Sequence, residues 1–134
     1  MATAPIYIGT PRASHASVVT ANTNYDGSGT IATIFTAGAS GSKITTITVT
    51  GKVAAGATQA ADTVTLYIHD GTNARAVRNI SVPVGSGAIS ATITNFHTTI
   101  AVSYELPTGY SLRSSTVIGG TTGIYEVAAF GGDY

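Results

Sequence analysis

The chain contains no cysteine and no tryptophan, few charges, four prolines and no long apolar run. Without cysteine, disulfides, thiolate metal sites and a thiol nucleophile are all excluded, and the redox compartment leaves no mark. The fold must therefore rest on its hydrophobic core alone. A length of 134 residues suits one domain, which buries about two thirds of the surface its unfolded chain exposes. No segment approaches the roughly 18 apolar residues of a membrane span, and "MATAPIYIGTPRASH" at the start has no basic region followed by an apolar core. Neither a membrane partner nor a signal for export is expected.

Charge is scarce as well. Only 9% of residues are Asp, Glu, Lys or Arg, and the six bases balance the six acids, whereas an average domain carries about 25%. The cations Arg12, Lys43, Lys52, Arg75, Arg78 and Arg113 are scattered along the chain, so no basic stripe is available to neutralise phosphates and nucleic acid is not an expected partner. A net charge of zero also removes the self-repulsion that keeps small monomers apart. A homo-oligomer is expected on that ground.

What the chain does have is threonine, its commonest residue, and 16 glycines. No long segment repeats apolar residues at helical spacing, and alternation is the dominant pattern. In "DTVTLYIHD", residues 62–70, Val64, Leu66 and Ile68 fall on one side and Thr63, Thr65, Tyr67 and His69 on the other, which predicts a half-buried strand. In "TTITVTGKV", Ile47, Val49 and Val53 oppose Thr46, Thr48 and Thr50, whose β-branched hydroxyl side chains suit a solvated pleat. Further strands are expected at 17–21, 30–36, 75–84, 89–96, 100–105, 110–118 and 124–130. The separators are turn sequences such as "YDGSG", "HDGTN" and "LPTG". In the last of these, Pro107 fixes φ and Gly109 can take positive φ, returning Leu112 to the core with Arg113 outside.

Eight or nine short strands with glycine-rich turns define an all-β fold: a single-domain antiparallel β-sandwich with jelly-roll or Greek-key connections. Residues 1–15 differ from the rest. Pro5 and Pro11 disfavour a helix or a central strand, and Ile6, Tyr7 and Ile8 make an apolar knot too short to form a core. An extended N-terminal arm over 1–15 and a sandwich over 16–134 are the expected domains. Docking of the arm on a neighbour would use Pro5, Ile6, Tyr7 and Ile8, with Arg12 meeting an acidic rim. The competing reading is an edge strand added to the chain's own sandwich.

Reactive constellations are weak. His69 and Asp70 in "YIHDGTN" could be a metal-ligand or acid-base pair, but Asp-Gly is a favoured hairpin turn and no second ligand stands at metal spacing. "NTNYDGSGT" begins like a calcium loop, yet its twelfth position is Thr33 and lacks the bidentate carboxylate. "GASGS" misses the nucleophile elbow at its fifth position, and the sequon at Asn79 falls inside a predicted strand. No catalytic residue, metal site or cofactor is expected, and the chain is read as a non-enzyme. The seven tyrosines include Tyr67, Tyr110 and Tyr125, which are candidates for exposed interface anchors against the alternative of ordinary sheet filling.

The stretch from Val64 to Val117, with its apolar strand ending in "HDGTN", a Val- and Ile-rich strand after it and the "LPTGYSLR" corner, resembles a family of small β-sandwich structural proteins of tailed bacteriophages. The resemblance covers about half the chain. It implies a virion protein assembled in the host cytoplasm, most specifically a capsid decoration or cement protein. Such a protein acts as a homotrimer bound to the major capsid protein or another virion protein. A tail-fibre module that binds a receptor or carbohydrate is the alternative, and it should expose aromatics at one end of the sandwich.

Overall fold

Turn residues and alternating apolar positions divide the chain into ten strands in the computed structural model, which describes residues 8–53, 56–86, 96–118 and 123–134. They are β1 (Thr10–Val18), β2 (Ala32–Thr36), β3 (Ser42–Val53), β4 (Thr58–Gln59), β5 (Asp62–His69), β6 (Ala74–Val82), β7 (Gly85–Ser86), β8 (Phe96–Leu106), β9 (Ser111–Thr116) and β10 (Gly123–Asp133). No helix is present among the described residues.

Eight of these strands make two antiparallel sheets, ordered β1-β10-β3-β8 and β2-β9-β5-β6, while β4 and β7 form a small separate ribbon. The pairings are nested. β5 pairs with β6 across the Asp70-Gly71 turn, β3 with β8, β2 with β9, and β1 with β10. The chain is thus one long antiparallel ribbon, folded at Asp70-Gly71 and rolled so that successive pairs fall alternately into the two sheets. That is a jelly roll, one of the two connection patterns expected for the sandwich. The sheets enclose Ile44, Ile47, Val49, Tyr125, Val127 and Ala129 from one side and Ile34, Phe35, Val64, Leu66, Ile80 and Leu112 from the other.

The two sides of the sandwich differ. β1 packs across β2 and closes one side, whereas no comparable packing joins β6 to β8 on the other. The inward row of β8, Phe96, Ile100, Val102 and Tyr104, consequently stays half-buried although it packs against the core.

Several expectations need correction. β5 is buried on both faces rather than one, with Thr65 and Tyr67 enclosed as fully as Val64 and Leu66. It is a central strand, and the connection between β1 and β2 runs over its outer face. That connection hydrogen-bonds Asn22 N to Thr116 O at 2.8 Å on β9 and reaches β6, where Gly27 approaches Ala74 so closely that a Cβ would lie 2.4 Å from its carbonyl oxygen. The first strand spans 10–18 instead of 17–21, so the boundary expected after residue 15 falls inside β1. Pro11 is accommodated because β1 is an edge strand and needs hydrogen-bond partners on one side only. Pro5, Ile6 and Tyr7, and all but Phe96 of the strand expected over 89–96, lie outside the described residues.

The corner at "LPTG" is a four-residue turn in which Tyr110 N donates to Pro107 O at 3.0 Å and Gly109 takes φ +86°. Only glycine holds that conformation without strain. Gly109→Val is expected to lower stability by about 1 kcal/mol or more, read as a drop in melting temperature. An unchanged melt would show that the turn has another form open to it.

Candidate interaction surfaces

Two polar clusters fix the framework on which any surface must sit. In the first, Arg12 of β1 spans both sheets. Its Nη1 donates to Asp133 Oδ1 at 2.8 Å and to Thr36 O at 3.0 Å, and its guanidinium lies 4.5 Å over the ring of Phe35. Ser42 Oγ also donates to Asp133, and Gly38 N donates to Ser42 Oγ at 2.8 Å. The strands crowd here. A Cβ on Gly131 would fall 1.9 Å from Lys43 O, and one on Gly132 would strike Ile8 and Thr10. The Ser42 hydroxyl first, and then Arg12, hold the Asp133 carboxyl below the ordinary carboxylate value. Arg12 is therefore engaged within its own fold by aromatic, carbonyl and carboxylate partners. The acid it meets within the chain is Asp133, and a neighbour's acidic rim would have to compete with that pair.

The second cluster centres on Asp62 at the start of β5. It is buried and accepts from Thr63 N at 2.7 Å, Ile118 N at 3.0 Å, Val117 N at 3.1 Å and the Thr116 hydroxyl. Tyr125 of the opposite sheet faces Asp62 and Gln59, and burial first, then the Asp62 charge, push its phenol up to about 12. Asp62 thus ties the end of β9 to β5 beneath the sandwich. Its oxygens are occupied in structure, as are those of Asp70, which accepts from Thr72 N and Asn73 N within the turn at the ribbon's tip.

The tyrosines expected as exposed anchors are placed otherwise. Tyr67 and Tyr125 are each 1% exposed, and Tyr110 is half-buried against the core. Tyr67 fills the outer face of β5 and accepts a 3.2 Å hydrogen bond from Ser115 Oγ. Among the described tyrosines, the one that stands in solvent is Tyr25, 70% exposed, on the segment that begins like a calcium loop. That segment is built as a turn: Asn22 Nδ2 donates to Ser28 O and Thr30 O, and Asp26 Oδ1 accepts from the Ser28 amide and hydroxyl. No group of acidic or histidine side chains that could hold a metal occurs among the described residues. Tyr25 borders an open groove of about 640 Å³ at one end of the sandwich, lined also by Thr63, Ser81, Pro83 and Ile118.

The broadest surface is the outward face of the β1-β10-β3-β8 sheet. Register places Ala13, Phe130, Thr46 and Ala101 in one row, His15, Ala128, Thr48 and Thr99 in the next, and Ser17, Glu126, Thr50 and His97 in a third. Glu126 is the one carboxylate in these rows, and Ser17 Oγ donates to it at 2.6 Å. Phe130, 41% exposed, stands over a shallow groove shared with Ile8, Pro11, Ala13 and Thr45. Of the arm residues expected to dock, Ile8 thus lines a surface groove. The alternating hydroxyls of "TTITVTGKV" point to this face in the sequence. Phe130 was not separable from core aromatics, because the strand's alternation is masked by its small residues.

No family model matches the sequence, and no curated protein matches it. Among solved structures, a chain of infectious bursal disease virus, Gx strain, is 14% identical over 92% of this chain with a TM-score of 0.33. One of the Gt strain is 16% identical over 97% with a TM-score of 0.31. The chain spans about one third of each, 32% and 34%, and likeness at this level does not define a shared fold.

The clamp at Asp133 predicts an acid response. A carboxyl held below its ordinary 3.8 contributes stability above that pH and loses it as pH falls through the lowered value. Asp133→Asn should melt below the parent at pH 7, with the gap narrowing as both are titrated below pH 3.8. A gap independent of pH would assign the effect to packing.

Proposed function

We propose that the chain is a non-enzymatic virion structural protein, a decoration or cement protein of a tailed-bacteriophage head. It binds the outer capsid lattice through the outward face of the β1-β10-β3-β8 sheet. The observation that carries this reading is that face itself: three ordered rows of Ala, Thr, Ser and His around one exposed Phe, with a single carboxylate. Such a surface can be dried at little desolvation cost, since few of its groups are ionised. Phe130 and Ile8 supply the apolar anchor and the threonine hydroxyls the rim. The sequence resemblance to phage structural proteins supports the reading, as does the jelly roll, an architecture that recurs in viral capsids and lectins. Binding is the whole mechanism. Many copies adding modest contacts between neighbouring capsid subunits hold an expanded shell through their summed free energy.

One observation favours a second reading, a carbohydrate-binding module of the tail. Tyr25 stands in solvent on a loop stiffened by its own hydrogen bonds, above a groove lined by the hydroxyl-bearing Thr63 and Ser81. A ring of that kind can stack on a sugar face.

The experiment mixes the purified protein with mature heads of the encoding particle and sediments them. Phe130→Lys and Ala128→Lys are expected to abolish co-sedimentation while retaining the parent's melting temperature, since both positions lie on the outward face. Undiminished head binding by both variants would remove this face from the mechanism. Glycan binding lost in Tyr25→Ala, with no affinity for heads, would establish the tail reading instead.

A further inference from the structure

We propose that β8 is a self-pairing edge, where two copies join antiparallel about a twofold axis through Ala101 to make one continuous eight-stranded sheet. Four strands end the two sheets, and three of them are unsuited to extension. β1 carries Pro11 as its second residue and packs across β2. β2 has only five residues and an irregular register. β6 projects Arg75 and Arg78 from its core-facing side, opposite Ile68 and Leu66, and carries a register shift. Inward charges and bulges of this kind discourage strand addition. β8 has eleven residues, "FHTTIAVSYEL", with no proline, lysine or arginine. Its exposure alternates without a break along the strand despite the register shift against β3 near Thr46. Among the described residues it pairs with β3 alone.

The occupant follows from the strand's self-complementarity. Its outward residues are His97, Thr99, Ala101, Ser103 and Glu105. An antiparallel pair centred on Ala101 sets Ala101 against its own copy, Thr99 against Ser103, and His97 against Glu105 at both ends. Small side chains meet at the dyad, hydroxyls flank them, and an acid meets a base at each rim. On the inward side the same register sets Ile100 against Val102, Thr98 against Tyr104 and Phe96 against Leu106. The half-buried row that β6 fails to cover thereby gains an apolar neighbour at Phe96, Ile100 and Val102. An interface in which each residue meets its counterpart is what a twofold contact requires. Glu105 is exposed, and within the chain it meets Lys43 at a long 3.9 Å and the phenol of Tyr134. The inference does not rest on the capsid reading, and the trimer expected from the resemblance would need another surface.

Sedimentation equilibrium of the full chain over a dilution series tests it. The parent is expected to be a dimer. Ala101→Lys, which places two ammonium groups at the dyad, is expected to weaken the dimer about tenfold or more, with circular dichroism and melting temperature as in the parent. His97→Glu is expected to weaken it by opposing Glu105, and adding Glu105→His to that variant is expected to restore it. A parent that is monomeric throughout, a parent that is trimeric, or an Ala101→Lys variant that dimerises as tightly as the parent would each overturn the proposal.

Discussion

Everything in this fold depends on the pairing of β5 with β6 across Asp70-Gly71. That turn is the tip of a ribbon whose later pairs, β3 with β8, β2 with β9 and β1 with β10, are laid down outside it in order. Because strand alternation has a period of two, a one-residue slip at the tip would turn the inward residues of β6 outward. The tip is correspondingly overdetermined. Gly71 has φ +96°, Asp70 accepts two amides, and Asp70 N bonds to Asn73 O. His69 and Asp70, which invite a chemical reading in the sequence, are spent on geometry.

The same economy governs the other polar groups. Asp62 and Asp133 are the carboxylates drawn furthest into the structure, and each gathers backbone or hydroxyl donors from several strands. Arg12 crosses from one sheet to the other and ends on a ring, a carbonyl and a carboxylate. With Asp62, Asp133 and Arg12 committed to holding strands together, the three middle rows of the outward sheet face carry alanine, threonine, serine, histidine and phenylalanine with one carboxylate, Glu126. Under the proposed head-binding role, association would rest on shape and drying rather than on long-range attraction, and would depend little on salt.

The sequence made the strands, their turns and the sandwich legible because alternation and glycine placement are local signals. Residues 62–69 and 111–116 match the expectation closely. What it hid was nonlocal. Whether Thr65 and Tyr67 face water depends on a connection from the other end of the chain passing over them, and nothing within "DTVTLYIHD" records that. The tyrosines were misread for the same reason: strand position does not reveal which face is covered. The role of Arg12 depends on a residue 121 positions away. The open edge of β8 likewise depends on β6 not packing against it, and only the register makes its self-complementarity visible.

One consequence of the sheet order reaches into synthesis. β10 leaves the ribosome after every other strand, yet it stands between β1 and β3. At roughly 5–20 residues per second, β1 waits many seconds with no sheet to join. Once β9 has emerged, and until β10 follows it, the β2-β9-β5-β6 sheet has only β3 and β8 to cover Val64, Leu66 and Leu112. The chain therefore cannot fold strand by strand as it emerges. It must hold a half-lidded core in the company of other nascent chains on the same message, each with the same open edge, until the last strand slides in and locks first to last.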